Sequence, residues 1–493
     1  MSNQKTDRIQ AFDESVRGEY EKGAKFALSL FHLSAKHVPA YKAFLKEEGI
    51  DPSKIKTLED FKKVTPVTKE NYLRKYPLKD LLWNGDMFKN NLISVSSGSS
   101  GEPFFWFRGA QQHEEAAEFY YKIYKDVFEA TNKSTLLVVC FSMGTWIAGS
   151  YTTLGGMAAA DKGLKINVVT PAIEIKDALS VIKKLHANYE QVILAGYPPL
   201  VKDLIDQGAH EGIDWQNMEV GFTVAGESVS EELRDYYIEH GTKHDDPTKV
   251  INIYGTADAG IIAHETPVSI EARRFIAKDF SMVDKVFGRR VLPTLAQFDP
   301  MQRFFEEVDG DLIFTAASGI PLIRYNIKDA GGVYMGLESL LGAEKLQEFS
   351  ETEEFKKLDL EAWQRPFVFV HGRNDFTATL YAVLIYPENI KTALFDDALS
   401  QIVTTKFSMT TEYESDLNQF LEIHVELQSG LNPSDELTKL ITDRIIVALT
   451  EVNAEYRKLR GSVGERATPK VYLHTYGEAP YFGKGNKQTW KIK

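Results

Sequence analysis

The chain has 493 residues, and its 57 Lys and Arg against 70 Asp and Glu give a formal net charge of −13 at pH 7. This acidic balance argues against a general nucleic-acid binder, because phosphate neutralisation needs a basic face. Cys140 is the single cysteine, which excludes an internal disulfide or a cysteine-cluster zinc site. With a polar N-terminus and no apolar window long enough for a membrane span, the sequence predicts a cytoplasmic protein with no membrane partner.

Residues 10–85 favour helices with polar faces, with a break at Val38-Pro39. From about residue 92, strands, turns and helices alternate, which is typical of an α/β core with a largely parallel sheet. Strands are predicted at 92–95, 104–107, 135–141, 165–169, 191–195, 220–225 and 250–254, and helices at 110–130, 175–187 and 200–207.

From residue 311 onward the pattern of predicted elements changes. The sequence predicts a hairpin of 311–316 with 321–325 and a charged helical insertion over 333–366. Beyond Arg373 it predicts a strand at 379–385, a helix after Pro387, a strand at 420–427, a long amphipathic helix at 434–455 and a further segment at 469–475. We therefore expect a large N-terminal α/β domain over 1–372 and a small α+β domain over 373–493.

A run of serine and glycine follows the strand at 92–95 and could carry chemistry. Such a run frees the backbone to curl its N–H groups around an anion, and the hydroxyls add donors. A flexible hairpin connection is an equally good interpretation. The absence of a Gly-Lys-Ser/Thr ending excludes a Walker loop. The residues are Ser96, Ser97, Gly98, Ser99, Ser100 and Gly101.

Two segments place an Asp where ligands bind in α/β folds. Asp258 follows the strand that ends in Tyr254, and a carboxylate at such an edge is suited to a magnesium ion beside phosphates. The commoner role for such an Asp is to cap a following helix. Asp329 ends the run from Tyr325 and could accept both ribose hydroxyls of a nucleotide, or could simply form the turn before Ala330.

Three further features are weaker indicators of a functional site. Arg373 and Asp375 lie in a polar stretch that is either an interdomain hinge or a turn. Lys484 and Lys487 lie in a tail without acids, where a solvated surface is the usual interpretation. Cys140 ends an apolar strand and is predicted to be packed in the core.

Taken in order, these motifs resemble the adenylate-forming superfamily, which includes the acyl-CoA synthetases, and phenylacetate–CoA ligase is the branch they resemble most. The ordered set comprises the Ser/Gly loop, Ala225-Gly226-Glu227, Tyr254-Gly255-Thr256-Ala257-Asp258, the segment ending in Asp329, Gly372-Arg373-Asn374-Asp375 and a tail lysine. Residues 140–149 stand where that branch has an aromatic and glycine-rich run, and the resemblance covers roughly residues 90–493.

The resemblance implies a role for each motif. It assigns the Ser/Gly loop to ATP phosphates, Asp258 to catalysis and magnesium, Asp375 to the hinge, and Lys487 or Lys484 to the carboxylate and α-phosphate. It further implies ATP or AMP contacts for Gly226, Glu227, Tyr254, Gly255, Thr256, Asp329 and Arg373, and acyl contacts for Phe141, Gly144 and Trp146.

The sequence departs from the family pattern in several places. Asn326-Ile327-Lys328 replaces the Arg-Thr-Gly that usually precedes the ribose-binding Asp, and Asp258 replaces a Glu. Pro103 is followed by Phe104, not by the usual Lys. The cysteine-rich zinc site of close relatives is absent, and the helical insertion at 333–366 stands in its place.

The resemblance implies an AMP-forming acid–thiol ligase that uses ATP, Mg²⁺ and coenzyme A. The expected acid is aryl or apolar, because Phe141 and Trp146 are aromatic. Two alternatives stay open: transfer of the acyl group to an amine, a carrier protein or a protein cysteine, and an inactive binding protein with this fold. A homodimer and a carrier-protein partner are both compatible with the resemblance.

Overall fold

The computed structural model describes residues 2–96, 104–373, 377–394, 397–399 and 401–482. These residues form two compact units. The first contains the described residues up to 95 and from 105 to 373, and the second contains Ser96, Phe104 and the described residues from 377 onward. The predicted domain boundary at 372/373 stays a prediction, since residues 374–376 fall outside the described part. No helix among the described residues is long and apolar enough to cross a membrane.

The N-terminal region is helical, as predicted, and is broken at Val38-Pro39. Pro39 occupies the first turn of its helix, where a missing N–H costs no hydrogen bond. Phe31 and Tyr41, one on each side of the break, are both buried, and their ring centroids lie 6.1 Å apart. The helices here are α1 (Ser2–His37), α2 (Pro39–Glu47) and α3 (Leu58–Phe61).

Strands and helices then alternate along the chain, as predicted. The strand pair β1 (Leu92–Ser96) and β2 (Phe104–Arg108) forms a small sheet of its own. The alternating elements that follow are α4 (Ala110–Asp126), β3 (Thr135–Cys140), α5 (Ile147–Asp161), β4 (Ile166–Val169), α6 (Ile175–Leu185), β5 (Gln191–Gly196), α7 (Pro198–His210), β6 (Val220–Ala225), α8 (Glu231–Gly241) and β7 (Val250–Thr256).

Strands β3 to β7 are mutually parallel, in the spatial order β7-β6-β5-β3-β4. Every residue of β3, β5 and β6 is buried. Largely apolar, fully buried strands of this kind are expected where helices cover both faces of a parallel sheet. Because the strands are parallel, their carboxyl ends lie at one edge, and this edge carries the predicted nucleotide motifs.

The sheet continues with antiparallel strands and reaches eleven strands, in the order β10-β11-β12-β13-β9-β8-β7-β6-β5-β3-β4. The predicted hairpin and helical insertion are confirmed, whereas β8, β9 and β10 were not predicted. The elements are β8 (Gly260–His264), α9 (Pro267–Ala277), α10 (Phe280–Phe287), β9 (Thr294–Gln297), β10 (Arg303–Val308), β11 (Asp311–Ala316), β12 (Leu322–Tyr334), α11 (Leu337–Leu341), α12 (Ala343–Ser350), α13 (Glu353–Lys357) and β13 (Phe367–Arg373).

The second unit is a smaller α+β unit with a three-stranded sheet in the order β16-β17-β18. The prediction of one strand over 379–385 is wrong, because Tyr381 and Ala382 have φ values of 48° and 63° and turn the chain back as a hairpin. The elements are β14 (Ala378–Leu380), β15 (Val383–Ile385), α14 (Pro387–Leu394), β16 (Val403–Tyr413), β17 (Gln419–Leu427), α15 (Asp435–Val452), α16 (Ala454–Val463) and β18 (Lys470–His474).

Candidate functional site

The carboxyl edge of the parallel strands carries several of the predicted residues. Gly226 follows β6 directly and has a φ of 95°, a backbone conformation that glycine adopts without steric cost. Its neighbour Glu227 is half-buried. Tyr254, Gly255 and Thr256 form the end of the adjacent strand β7. Ligands in open α/β sheets bind outside this edge, so these residues are placed where a ligand would meet them.

Two Tyr-x-x-x-Asp segments meet at this edge and bind each other reciprocally. The Tyr254 hydroxyl donates a hydrogen bond to Asp329 Oδ2. The Tyr325 hydroxyl donates to Asp258 Oδ2 at 2.6 Å. Both carboxyl groups are buried, at 3% exposure for Asp258 and 6% for Asp329. The structure therefore brings together the two segments that sequence reasoning singled out separately, although four strand-to-strand steps separate β7 from β12 in the sheet.

The alternative interpretations of these aspartates, a helix cap for Asp258 and a turn for Asp329, are both wrong. Asp258 does not cap a helix, because the next element is β8, which begins at Gly260. Asp329 does not sit in a turn, because it lies inside β12 and pairs in register with Arg373 of β13. The backbone of Arg373 is thus held opposite Asp329.

Sequence reasoning did not predict the lysine beside Asp258. Lys69 Nζ lies 3.2 Å from Asp258 Oδ2, in an ion pair that is largely buried. Lys69 begins a short π-helical turn, and the Thr68 side chain caps that turn by accepting from Asn71 N–H. A Thr followed by a short helix predicts the cap, but nothing in the sequence near Lys69 indicates a partner so distant in the chain.

The backbone explains how Lys69 reaches the site. Val67 pairs with Tyr325 in a parallel bridge, donating to the Arg324 carbonyl at 3.1 Å and accepting from Asn326 N–H at 2.9 Å. The Arg324 guanidinium also donates to the Lys62 carbonyl at 2.6 Å. These hydrogen bonds hold the N-terminal segment along β12 at Val67, two residues before Lys69, and so position Lys69 at the site.

Sequence reasoning also did not predict that a second cation, Arg108, lies beside Asp258. Its guanidinium donates to Ser94 Oγ and to the Ala257 carbonyl, next to Asp258. Burial lowers the pKa of Arg108 to about 10, a shift that Tyr151 and Asp258 oppose. Arg108 therefore stays protonated near neutral pH. It adds a fixed positive charge beside the carboxylate in a chain whose formal charge is −13.

The residues present do not fit a resident magnesium ion. Asp258 Oδ2, on the carboxylate that the resemblance assigns to the metal, already accepts from Tyr325 and pairs with Lys69. Across the described part of the chain, no group of three or more His, Cys, Asp or Glu side chains could hold a metal. The magnesium role of Asp258 stays a prediction, and we derive no step through the ion.

The predicted acyl residues surround the start of α5. Phe141 is fully buried in the core, and its ring packs edge-on against Tyr197 with centroids 5.1 Å apart. Gly144 is exposed, with a φ of 87°, and Trp146 is half-buried at the N-cap of α5. Their contact with an acyl group stays a prediction.

Cys140 is packed in the core, as predicted. It is 2% exposed, and burial raises the pKa of its thiol to about 12, so it is not a nucleophile at neutral pH. His264, left undetermined by the sequence, lies on β8, where burial lowers its pKa to about 4.

Several predicted residues lie outside the described part. Ser96 is described and is 6% exposed at the end of β1. The remaining loop residues, the hinge residue and both tail lysines are not described, and their roles stay predictions. They are Ser97, Gly98, Ser99, Ser100, Gly101, Asp375, Lys484 and Lys487.

Three solved structures of one enzyme, in different states, are similar to this chain. 2-Hydroxyisobutyryl-CoA ligase with 2-HIB-AMP and CoA, in the thioesterification state, matches with a TM-score of 0.61 at 16% identity, covering 96% of this chain and 89% of the ligase. The same enzyme in the postadenylation state with R3-HIB-AMP gives 0.53 at 16% identity, with the same coverage. Its open conformation with 2-HIB-AMP and CoA gives 0.52 at 15% identity, covering 96% and 91%.

These matches establish the architecture. The chain has the fold of 2-hydroxyisobutyryl-CoA ligase. The predicted fold class, a large α/β domain with a smaller C-terminal domain, is therefore confirmed. No protein-family model matches the chain, and no curated protein matches it significantly.

Proposed function

We propose that this protein activates a carboxylic acid with ATP and passes the acyl group to the thiol of coenzyme A. The observation that carries the proposal is the reciprocal pairing of Tyr254 with Asp329 and of Tyr325 with Asp258. This pairing supports the proposal because it joins two carboxylates, with the cations Lys69 and Arg108 beside Asp258, in a fold found in a CoA ligase.

In the first half-reaction, a carboxylate oxygen attacks the α-phosphorus of ATP. An oxygen–phosphorus bond forms, the bond from that phosphorus to the bridging oxygen breaks, and pyrophosphate leaves. The product is an acyl-adenylate. Two anions repel each other as they approach, so fixed cations at the site lower the barrier by stabilising charge on the phosphoryl oxygens.

Asp329 is proposed to accept the ribose hydroxyls and so to hold the nucleotide. Its carboxylate is buried and already accepts a hydrogen bond from a hydroxyl, that of Tyr254. Two ribose hydroxyls are donors of the same kind. Arg373, opposite Asp329 in the strand register, is proposed to lie beside them.

In the second half-reaction, the sulfur of coenzyme A attacks the acyl carbon. The carbon–sulfur bond forms, the bond to the AMP oxygen breaks, and the thiol proton is released. We further propose the phenylacetate–CoA ligase branch and an aryl or apolar acid. Lys487 or Lys484 is proposed to act in the first step, and Asp375 as the hinge.

The proposal is tested by carboxylate-dependent exchange of labelled pyrophosphate into ATP across a library of aryl, hydroxy and aliphatic acids. At least one acid should support exchange. Absence of exchange with every acid would instead favour the inactive binding protein.

The acceptor is tested separately with the acid that supports exchange. Coenzyme A should accelerate AMP release and yield a thioester. If hydroxylamine traps the adenylate while coenzyme A leaves AMP release unchanged, the CoA ligase assignment fails and an amine, a carrier protein or a protein cysteine becomes the acceptor.

A further inference from the structure

One face of the three-stranded sheet in the second unit carries two histidines that contact each other. His424 Nδ1 and His474 Nε2 lie 2.8 Å apart, on the parallel strands β17 and β18. His424 Nε2 lies 2.7 Å from Glu422 Oε1, and His474 Nδ1 lies 3.4 Å from Glu478 Oε1. The four side chains therefore form one continuous series of contacts, with a carboxylate at each end.

The segment that follows β18, residues 475–482, folds back over these histidines. The ring of Tyr481 stacks on His424 with centroids 3.7 Å apart and lies 4.6 Å from the ring of His474. Glu478 belongs to the same segment, so its contact with His474 joins the segment to the sheet. His424 is 6% exposed beneath this cover.

The three contacts determine how many protons the two rings must carry. A carboxylate only accepts hydrogen bonds, so His424 Nε2 and His474 Nδ1 each need a proton, and the contact between the rings needs one more. Three protons on four ring nitrogens make one neutral imidazole and one imidazolium. With two protons one contact sets lone pairs against each other, and with four protons two N–H groups face each other. The series is therefore complete only when the histidine pair binds one extra proton.

The surroundings of the two rings favour His474 as the charged one. Burial lowers the pKa of His424, although Glu422 opposes the shift, so this ring resists a positive charge. Glu478 is held as a carboxylate beside His474, because the N–H and Oγ1 of Thr475 both donate to its Oε2 at 2.8 Å. These hydrogen bonds, and to a smaller extent His474, lower the pKa of Glu478.

The other charges around the histidine pair also favour one bound proton. Two lysines of this sheet are already neutralised, since Lys406 Nζ lies 3.5 Å from Glu426 Oε2 and Lys470 pairs with Glu414. The remaining ionisable groups on the strands and on segment 475–482 are three carboxylates and three tyrosines: Glu412, Glu422, Glu478, Tyr472, Tyr476 and Tyr481.

We propose that His424 and His474 form a proton switch that holds segment 475–482 on the sheet. One proton bound by the pair completes the contact between His474 and Glu478, and loss of that proton breaks the contact and loosens the segment. In the sequence the segment immediately precedes the tail that begins at Gly483. The inference does not depend on the proposed adenylation.

The direction of the pH dependence follows from the proton count. The attached segment binds a proton that the detached segment releases, so attachment strengthens as the pH falls through the ordinary histidine range, about 6.5, and weakens as the pH rises above it. Attachment also weakens at lower pH, because a second proton on His424, whose pKa is lowered by burial, sets two N–H groups against each other. We expect the firmest attachment near pH ~6.

Hydrogen–deuterium exchange of the full-length protein, measured by mass spectrometry between about pH 5 and pH 9, tests the switch. The amides of Gly477 and Phe482 both donate hydrogen bonds in the attached segment, at 2.9 and 2.7 Å. After correction for the intrinsic pH dependence of exchange, the protection of residues 475–482 should be about tenfold higher near pH 6 than near pH 8.5, which corresponds to a shift of about one pKa unit. Protection that does not change with pH would overturn the proposal.

Two carboxyl variants provide a matched comparison. Glu478→Gln should lose the pH dependence, because its amide can donate to the neutral ring of His474 and no proton is then needed. Glu414→Gln should keep the dependence, although Glu414 is equally exposed, at 43%, and also pairs with a basic residue of β18. His474→Gln should lose the dependence while the far-ultraviolet circular dichroism is retained. An undiminished tenfold dependence in Glu478→Gln or in His474→Gln would overturn the proposal.

Discussion

Segments 254–258 and 325–329 share the pattern Tyr-x-x-x-Asp, yet the structure builds them differently. The first ends a parallel strand and turns into β8 at Gly260, which has a φ of 73° that glycine tolerates. The second lies inside β12, where Arg324 and Lys328 have φ values of 48° and 70°. A non-glycine residue holds such a conformation only when its surroundings impose it.

Those surroundings can be named. Arg324 N–H donates to Thr315 Oγ1 at 2.9 Å, its Nε lies 3.0 Å from Glu306 Oε2, and its guanidinium reaches the N-terminal segment. The first segment therefore turns at a glycine, whereas the second is held at Arg324 by contacts with β10, β11 and the N-terminal segment. A short motif thus predicts the chemistry of both segments but the backbone of only one.

The largest expected effect comes from the first segment. Asp258→Ala removes the partner of both Lys69 and Tyr325 and should lower the rate of pyrophosphate exchange about a thousandfold, which corresponds to roughly 4 kcal/mol. Asp258→Asn keeps an oxygen for the Tyr325 hydroxyl but loses the charge, so it separates the two contributions. An unchanged rate in Asp258→Ala would remove Asp258 from the mechanism.

We expect His264, on the strand β8 that follows the first segment, to make the free energy of unfolding depend on pH. His264 on β8 pairs in register with Ile253 of β7, and burial lowers its pKa from 6.5 to about 4. Above pH 6.5 the imidazole is neutral in both the folded and unfolded states and contributes no pH dependence. Between pH 6.5 and 4 the unfolded chain binds a proton that the folded chain does not, so the free energy of unfolding should fall by up to about 3 kcal/mol.

Urea unfolding of the native protein and of His264→Leu at pH 7 and at pH 4.5 measures this effect. The loss of stability between the two pH values should be smaller in His264→Leu, and other titrating groups cancel in the difference. Equal losses in the two proteins would show that His264 does not couple to folding.

The second segment should govern nucleotide affinity. Asp329→Ala removes the acceptor proposed for the ribose hydroxyls and should raise KM for ATP about thirtyfold, equivalent to roughly 2 kcal/mol, with a smaller change in kcat. Kinetics with ATP and 2′-deoxy-ATP measure this, because the native protein should discriminate between them and the variant should not. Equal discrimination by both proteins would place the ribose elsewhere.

The smallest effects are expected when the two tyrosine hydroxyls that bind the aspartates are removed one at a time. Tyr325 is 1% exposed, whereas Tyr254 is half-buried. We expect Tyr325→Phe to lower the free energy of unfolding by about 2 kcal/mol and Tyr254→Phe by about 1 kcal/mol, since a buried carboxylate that loses its donor cannot recruit water as readily. Chemical denaturation of the two variants compares them directly, and the reverse order would contradict this account.

Much of the first unit could be predicted from sequence, because its signals are local. The apolar runs of β3, β5 and β6 reflect burial on both faces, and the proline at Pro39 marks the break between helices. The turn at Tyr381 could not be predicted in this way, because no glycine, asparagine or aspartate marks its positive φ.

The candidate site was predictable only in part. Asp258 and Asp329 stand in recognisable patterns, but their partners come from elsewhere in the chain. Lys69 and Arg108 are ordinary basic residues in the sequence, and only the tertiary structure gives them a carboxylate neighbour. The reciprocal hydrogen bonds likewise depend on the tertiary structure, because four strand-to-strand steps separate β7 from β12 in the sheet.

The parallel bridge between Val67 and Tyr325 has a consequence for protein engineering. The first hundred residues resemble a detachable helical cap, yet one turn of them supplies a cation to the site and supports the strand that holds Tyr325. A chimera that exchanges this region for that of another protein with this fold would have to exchange residues 322–329 with it. The two stretches form one structural part, although about 250 residues of chain lie between them.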